Sequence, residues 1–141
     1  MPFLLDTSTC SRHLKSRDDT PILSRMVQYS GQLYVSRLTV AELYAFAFRD
    51  SAKRVEQFDQ FFNDVKFVEF TEQCAREYGR LHAFLAERGI RIGAVDLMLA
   101  ATAIVNELIL VTHDQDFDRL NGIVQGLRLD DWLPASLDNP G

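Results

Sequence analysis

The sequence predicts an α/β fold: one domain, with a central, mostly parallel sheet of four to five short strands flanked by helices. Three observations carry this expectation. Short apolar runs of strand length alternate with longer stretches of helical periodicity, which is the pattern of strands joined by crossover helices. The 141 residues suit one domain and leave little room for a second. Hydrophobic residues make up 47% and charged residues 25%, with ten phenylalanines, so a packed core is available and disorder is excluded.

Taken in order, Phe3-Leu4-Leu5 is a buried-strand run ended by Asp6. Thr7 to Lys15 and Pro21 to Tyr29 read as helices, with Asp18-Asp19-Thr20 as the break and Pro21 in a first helical turn. Leu33 to Val35 is the second strand. Thr39 to Arg49 and Ser51 to Phe62 are helical, and Phe58, Phe61 and Phe62 share a face. Lys66 to Glu69 is a third strand. Thr71 to Arg88 is a long helix whose apolar positions Cys74, Ala75, Tyr78, Leu81 and Leu85 recur at three- and four-residue steps, with Gly89 as its C-cap. Ala94 to Asn106 is a further helix, Leu108 to Val111 a fourth strand, and Asp116 to Leu120 a single helical turn. Ile123 to Leu129 is a candidate edge strand. The domain is expected over residues 1–132, with a loose tail at 133–141.

Composition bounds the function classes. The longest apolar run, Leu97 to Val105, is far short of the roughly 20 residues a membrane span needs. The MPFLLD opening lacks a basic segment and a long apolar stretch, so no secretion signal is expected. Cys10 and Cys74 form no C-x-x-C pair and read as two thiols in a reducing, cytoplasmic setting. No Walker loop and no G-x-G-x-x-G is present. The net charge of −5 speaks against nucleic acid at first sight. An enzyme that gathers carboxylates around metal ions carries a local negative excess of this kind, so global charge does not decide the substrate.

The chemistry-bearing residues are acids at strand ends, where open α/β sheets bind their ligands. Asp6 directly follows the first strand and could equally cap the next helix. Glu42 stands three residues after Thr39, the spacing of a capping box, near the end of the second strand. Asp96 is the only charge between Ala94 and Val105. A helix apolar on nearly all sides is buried, and a lone buried carboxylate needs a paired base, such as Arg91, or a metal. Asp114 lies just beyond the fourth strand and could cap a turn, with Asp116 complementing the turn's dipole. Each sign is weak alone. Together, four carboxylates directed to one sheet edge repel one another and require cations. All-oxygen ligands select Mg2+ or Mn2+ over zinc. Such ions assist phosphodiester hydrolysis.

These same residues carry a family likeness. The ordered motifs F-L-L-D-T-S, T-V-A-E-L, I-G-A-V-D-L-M-L-A-A and L-V-T-H-D-Q-D-F resemble the PIN domain, and more narrowly the VapC-type toxins of bacterial toxin–antitoxin pairs. The likeness runs from Pro2 to about Trp132, and the closing G-L-R-L-D-D-W belongs to it. The resemblance implies an endoribonuclease in which Asp6, Glu42, Asp96 and Asp114 hold the metals. It adds Asp116 as an optional fifth carboxylate and Thr112 as a supporting hydroxyl. Ser8 stands where many relatives have Asn, and its hydroxyl can still serve a metal-bound water. The resemblance also implies an RNA substrate, a cognate antitoxin protein and a homodimer, for which the apolar stretch Phe58 to Phe62 offers a surface.

Other polar residues have plainer readings. His13, His82 and His113 share no metal-ligand spacing, although His113 sits beside the site. Arg12, Lys15 and Arg17 follow Asp6, and Arg88 and Arg91 precede Asp96. They read as a solvated helix face, or as phosphate contacts for RNA, with Arg12, Lys15 and Arg91 the nearest to the acids. A phosphoacceptor receiver domain would pair acids after the first strand and end a late strand in Lys, whereas Asp6 is alone and the late strand ends in Thr112-His113. An aspartyl phosphatase would want a second Asp where Ser8 stands. The remaining alternatives are a DNA nuclease and a non-catalytic binding subunit of the same fold; the latter predicts eroded acids, yet all four are present.

Overall fold

The computed structural model describes residues 2–15 and 20–133. Arg17, Asp18, Asp19 and residues 134–141 of the expected tail lie outside them. The described elements run β1 (Phe3–Leu5), α1 (Thr7–Lys15), α2 (Thr20–Gln28), β2 (Leu33–Ser36), α3 (Arg37–Asp50), α4 (Ala52–Phe62), β3 (Lys66–Val68), α5 (Glu72–Glu87), α6 (Ala94–Val105), β4 (Ile109–Val111), a 3-10 turn (Gln115–Arg119) and β5 (Arg128–Asp130). The strands form one five-stranded sheet in the order β3-β2-β1-β4-β5. Every pairing is parallel.

Side chains along a strand point to alternate faces, and two cores follow from that alternation. Phe3, Leu5, Val35 and Val111 face one side, where they pack with Cys10, Ile22, Leu43, Phe58, Phe61 and Phe62 from α1 to α4. Leu4 and Leu110 face the other, against Leu81 and Leu85 of α5 and Leu97, Leu99 and Ala103 of α6. A sheet buried on both faces has continuous apolar strands rather than alternating ones, which is why FLL and ILV could be read as strands from so few residues. The stripe Phe58, Phe61, Phe62 is core: 0%, 8% and 8% exposed. It therefore offers no dimer surface, correcting that expectation. Leu23, Val27 and Phe48 are the large apolar residues left exposed on these helices.

Four other expectations are corrected. Helix α3 begins at Arg37 rather than Thr39, because Ser36 at the end of β2 caps it by accepting from the Leu38 amide at 3.1 Å. Thr39 is buried inside the helix, so no capping box joins it to Glu42. Only Arg128–Asp130 of the last expected strand is extended, since Gly122 and Gly126, with φ of 84° and 85°, break the run into turns. Ala75 on α5 is exposed, while Cys74, Leu81 and Leu85 are buried.

Two local devices aim the chain at the carboxyl edge of the sheet. Helix α5 ends in a Schellman motif: Ile90 N–H donates to the Leu85 carbonyl at 3.0 Å and Gly89 N–H to that of Ala86 at 3.1 Å. Gly89 takes the required left-handed conformation, φ 68°. The chain then crosses to Gly93 and enters α6 with Asp96 in its first turn. At the sheet centre, Asp6 N–H donates to the Val111 carbonyl at 3.1 Å, joining the ends of β1 and β4. Strand order reverses between these two strands, so the crevice in which an open α/β sheet binds ligands opens there. Both cysteines are buried and unpaired. Among the described residues no helix is long and apolar enough to cross a membrane.

Candidate active site

Asp6 is held from below by its own helix. Its Oδ1 accepts from the Thr9 amide at 2.8 Å, an N-cap bond, and the Ser8 hydroxyl donates to the same carboxylate at 3.1–3.2 Å. The residue is 3% exposed. Glu42 projects from the second turn of α3 and accepts from the Thr7 hydroxyl at 2.5 Å, which itself rests 3.2 Å from the buried Thr39 hydroxyl. Asp114 caps the 3-10 turn through its Oδ1, which accepts from the Asp116 amide at 2.9 Å. The Thr112 hydroxyl accepts from the Asp114 amide at 3.1 Å and so fixes the loop after β4.

Carboxylate oxygens of Asp96, Asp114 and Asp116 lie within 4.8 Å of one another. Asp6 and Glu42 fall outside that trio, but their charges bear on Asp96. The Asp96 carboxyl is pushed up from the usual 3.8 to about 6: burial is the largest cause, followed by the negative charges of Asp114, Asp6, Glu42 and Asp116. The structure thus brings Asp96, Asp114 and Asp116 together, and Asp6 and Glu42 act on Asp96 through their charge. Asp96 is half-buried rather than fully enclosed, correcting the expectation from its apolar helix. The rival ion pair is absent: among the described residues no base pairs with Asp96. Arg91 is exposed on the segment between α5 and α6, and its carbonyl accepts from Arg119 at 2.8 Å.

A cluster of oxygen donors with excess like charge, offset only at Asp116 by Arg119 among the described residues, fits a hard divalent ion such as Mg2+ or Mn2+. The donors come from separate elements, β1–α1, α3, α6 and the loop after β4, so only the folded chain assembles them.

The remaining candidates sort as follows. His113 sets its Nδ1 2.7 Å from Asp131 Oδ2, and the two side chains tie the Asp114 loop to the chain after β5. His13 is half-buried against Phe61, and burial lowers its pKa. His82 is exposed beside Tyr78. Lys15 sets its Nζ 3.9 Å from the Phe46 ring centroid, a cation–π contact, and Arg12 lies exposed on α1. Two residues were missed in the sequence. Thr7 holds Glu42, and its place beside Asp6 was the available sign. Arg119 donates to the Arg91 carbonyl and stands 3.4 Å from Asp116 Oδ1; nothing local marks it.

Residues 3–123 match the PIN domain family. The chain belongs to this family. Its relatives include the ribonuclease VapC2 of Haemophilus influenzae, 31% identical over 94% of this chain and 99% of that protein. The tRNA(fMet)-specific endonuclease VapC of Salmonella typhimurium is 28% identical over 94% and 98%. Among solved structures, the DNA-bound VapBC complex of Salmonella typhimurium is similar at a TM-score of 0.83, with 27% identity over 94% of this chain and 98% of that one. VapBC-1 of Haemophilus influenzae superposes with a TM-score of 0.80, at 27% identity over the same share of each chain. The parallel sheet is therefore that of a PIN domain.

Proposed function

We propose that this PIN domain is an Mg2+- or Mn2+-dependent endoribonuclease, the toxin of a type II toxin–antitoxin pair, held inactive by a cognate antitoxin protein. The observation that carries the reading is the gathering of Asp96, Asp114 and Asp116 with their carboxylate oxygens within 4.8 Å of one another; burial and the charges of Asp114, Asp6, Glu42 and Asp116 raise the Asp96 carboxyl, and no described base relieves it. Such a charge cluster fits cation-assisted attack on a phosphodiester. The names of its relatives add the substrate and the biological setting, since they are named ribonuclease VapC2 and tRNA(fMet)-specific endonuclease VapC, and a structural counterpart from Mycobacterium tuberculosis is a member of the VapBC family of toxin–antitoxin systems.

In this reading Asp6, Glu42, Asp96 and Asp114 hold the metal, with Asp116 at the rim. A divalent cation there supplies an activated water and stabilises developing negative charge on the phosphate oxygens. The chain's own part is orientation. Ser8 and the Thr9 amide fix the Asp6 carboxylate, Thr7 fixes Glu42, and Thr112 fixes the loop of Asp114. Such supporting hydrogen bonds set ligand geometry before the ion arrives. Transfer RNA is the first substrate class to test, because one relative is named for it. The protein works as a homodimer in the cytoplasm, with Leu23, Val27 and Phe48 as apolar surface open to a partner chain.

The test is cleavage of an RNA panel that includes initiator transfer RNA, in Mg2+, Mn2+ and excess EDTA. Cleavage is expected with either metal and is lost in EDTA and in Asp6→Asn. Cleavage that survives EDTA would end the metal reading, and inertness toward every RNA alongside cutting of DNA would end the ribonuclease reading.

A further inference from the structure

Three carboxylates within 4.8 Å of one another, with the charges of Asp6 and Glu42 also bearing on Asp96, leave a polyanionic substrate facing negative charge, so the site needs a cation of its own to seat a phosphate. Several basic side chains of the domain are engaged elsewhere. Lys15 lies over Phe46, and Arg88 lies over Phe84, 3.5 Å from the ring centroid, while donating to the Phe84 carbonyl. Arg37 is shared between Glu69 and the Phe67 ring.

Arg119 differs in position and in what it leaves open. It ends the 3-10 turn that also carries Asp116 and is capped by Asp114. Its Nη2 donates to the Arg91 carbonyl at 2.8 Å and reaches Asp116 Oδ1 at 3.4 Å. No described partner engages Nε or Nη1, and the side chain is 49% exposed. A guanidinium has five N–H donors in a rigid fork that matches phosphate oxygens. Here one corner is anchored to backbone, which orients the fork, and the rest opens to solvent at the edge of the acid cluster. The 3.4 Å contact to Asp116 is long for a charge-assisted hydrogen bond, which prefers about 2.7–2.9 Å.

We propose that Arg119 is a phosphate-contacting residue of this site, binding a non-bridging backbone oxygen of RNA beside Asp96, Asp114 and Asp116. The inference rests on the ribonuclease reading above. The same anchor gives Arg119 a second consequence. By holding the Arg91 carbonyl it ties the segment that leads into α6 to the turn of Asp116, so substrate contact and the acid cluster share one rigid rim.

The experiment compares wild type, Arg119→Lys and Arg119→Gln in Mg2+, measuring RNA cleavage kinetics over a salt series, with Mn2+ binding followed by electron paramagnetic resonance. Gln loses the charge and, being two bonds shorter, also the reach to the Arg91 carbonyl, so the Mn2+ readout reports whether loss of that anchor disturbs the acid cluster. Arg119→Gln is expected to raise KM about tenfold and to shallow the salt dependence of kcat/KM by about one charge, with Mn2+ binding within about twofold of wild type. Arg119→Lys should restore the salt slope. An unchanged KM and slope in Arg119→Gln would overturn the inference alone. So would a loss matched by weaker Mn2+ binding, since Arg119 would then serve the metal ligands rather than the substrate. A wild-type protein inert toward RNA would bring down the ribonuclease reading together with the inference.

Discussion

Replacing Asp96 by Asn separates a metal site from a structural ion pair, because the two predict opposite signs. In the metal-free protein the Asp96 carboxyl titrates at about 6 instead of 3.8. Each pH unit of that rise corresponds to about 1.4 kcal/mol, which gives about 3 kcal/mol as an upper bound on the cost of the folded, ionised state at pH 7. Asp96 is half-buried and solvent screens part of this, so about 1 kcal/mol is the working figure. The sign follows from proton linkage. A folded-state value above the unfolded one means that the native state binds more protons between about pH 4 and 6, and stability falls as pH rises through that window.

Asp96→Asn removes the charge, so in EDTA at pH 7 it is expected to melt a few degrees above wild type, about 3 °C for 1 kcal/mol in a chain of this size. Below about pH 4 the difference should vanish, since Asp96 is then neutral as well. Mg2+ at ten times its dissociation constant should add about 1.4 kcal/mol to wild type by mass action and much less to the variant. Scanning calorimetry of both proteins, in EDTA and in Mg2+, at pH 4 and 7, reads all of this. A loss of 3–5 kcal/mol on substitution in EDTA is what breaking a buried pair costs, and would refute Asp96 as a metal ligand.

Asp6→Asn should abolish RNA cleavage while leaving the melting temperature in EDTA within about 2 °C, because Asn is as good an N-cap as Asp; a cleavage assay beside a melt checks both. Thr7→Val removes the donor that orients Glu42 and should weaken Mn2+ binding about tenfold, the usual scale for a ligand's supporting hydrogen bond, as titration calorimetry would show. Phe58→Ala should cost about 3–5 kcal/mol in urea unfolding, since the ring is fully buried. A cost under 1 kcal/mol would contradict its place in the core.

The order of elements was legible because the sheet is buried on both faces: FLL, LYV and ILV could only be strands, and the stretches between them kept helical periodicity. Helix starts were less so. The Thr39–Glu42 spacing suggested a cap that the fold does not use, because Ser36 ends β2 and reaches the Leu38 amide first. Asp96 was identified by being alone in an apolar helix, yet its half-exposure depends on where the 90–93 segment runs, which a one-dimensional pattern does not hold. Phe58, Phe61 and Phe62 gave the right face but no means of telling a core from an interface. Arg119 left no sign, since its partner carbonyl is 28 residues away in the chain.

For Asp6 and Asp114 the capping role and the proposed metal-binding role are compatible in one side chain. Each carboxylate satisfies a backbone amide at the start of a helical turn, Thr9 for Asp6 and Asp116 for Asp114. A capping bond restricts the carboxylate's rotation and leaves acceptor capacity on the second oxygen. The cap therefore fixes the direction in which the remaining lone pairs point, which is the requirement for a ligand held in place before its ion binds. It also explains why the acids sit at strand ends. There the chain must turn into a helix, a cap is needed, and Asp meets that need with a group that can bind a cation. Asp96 lacks such a bond: Gly93 caps α6 with no side-chain contact, and burial together with the neighbouring negative charges raises its proton affinity, so a cation bound there would relieve a cost that no described hydrogen bond of its own offsets.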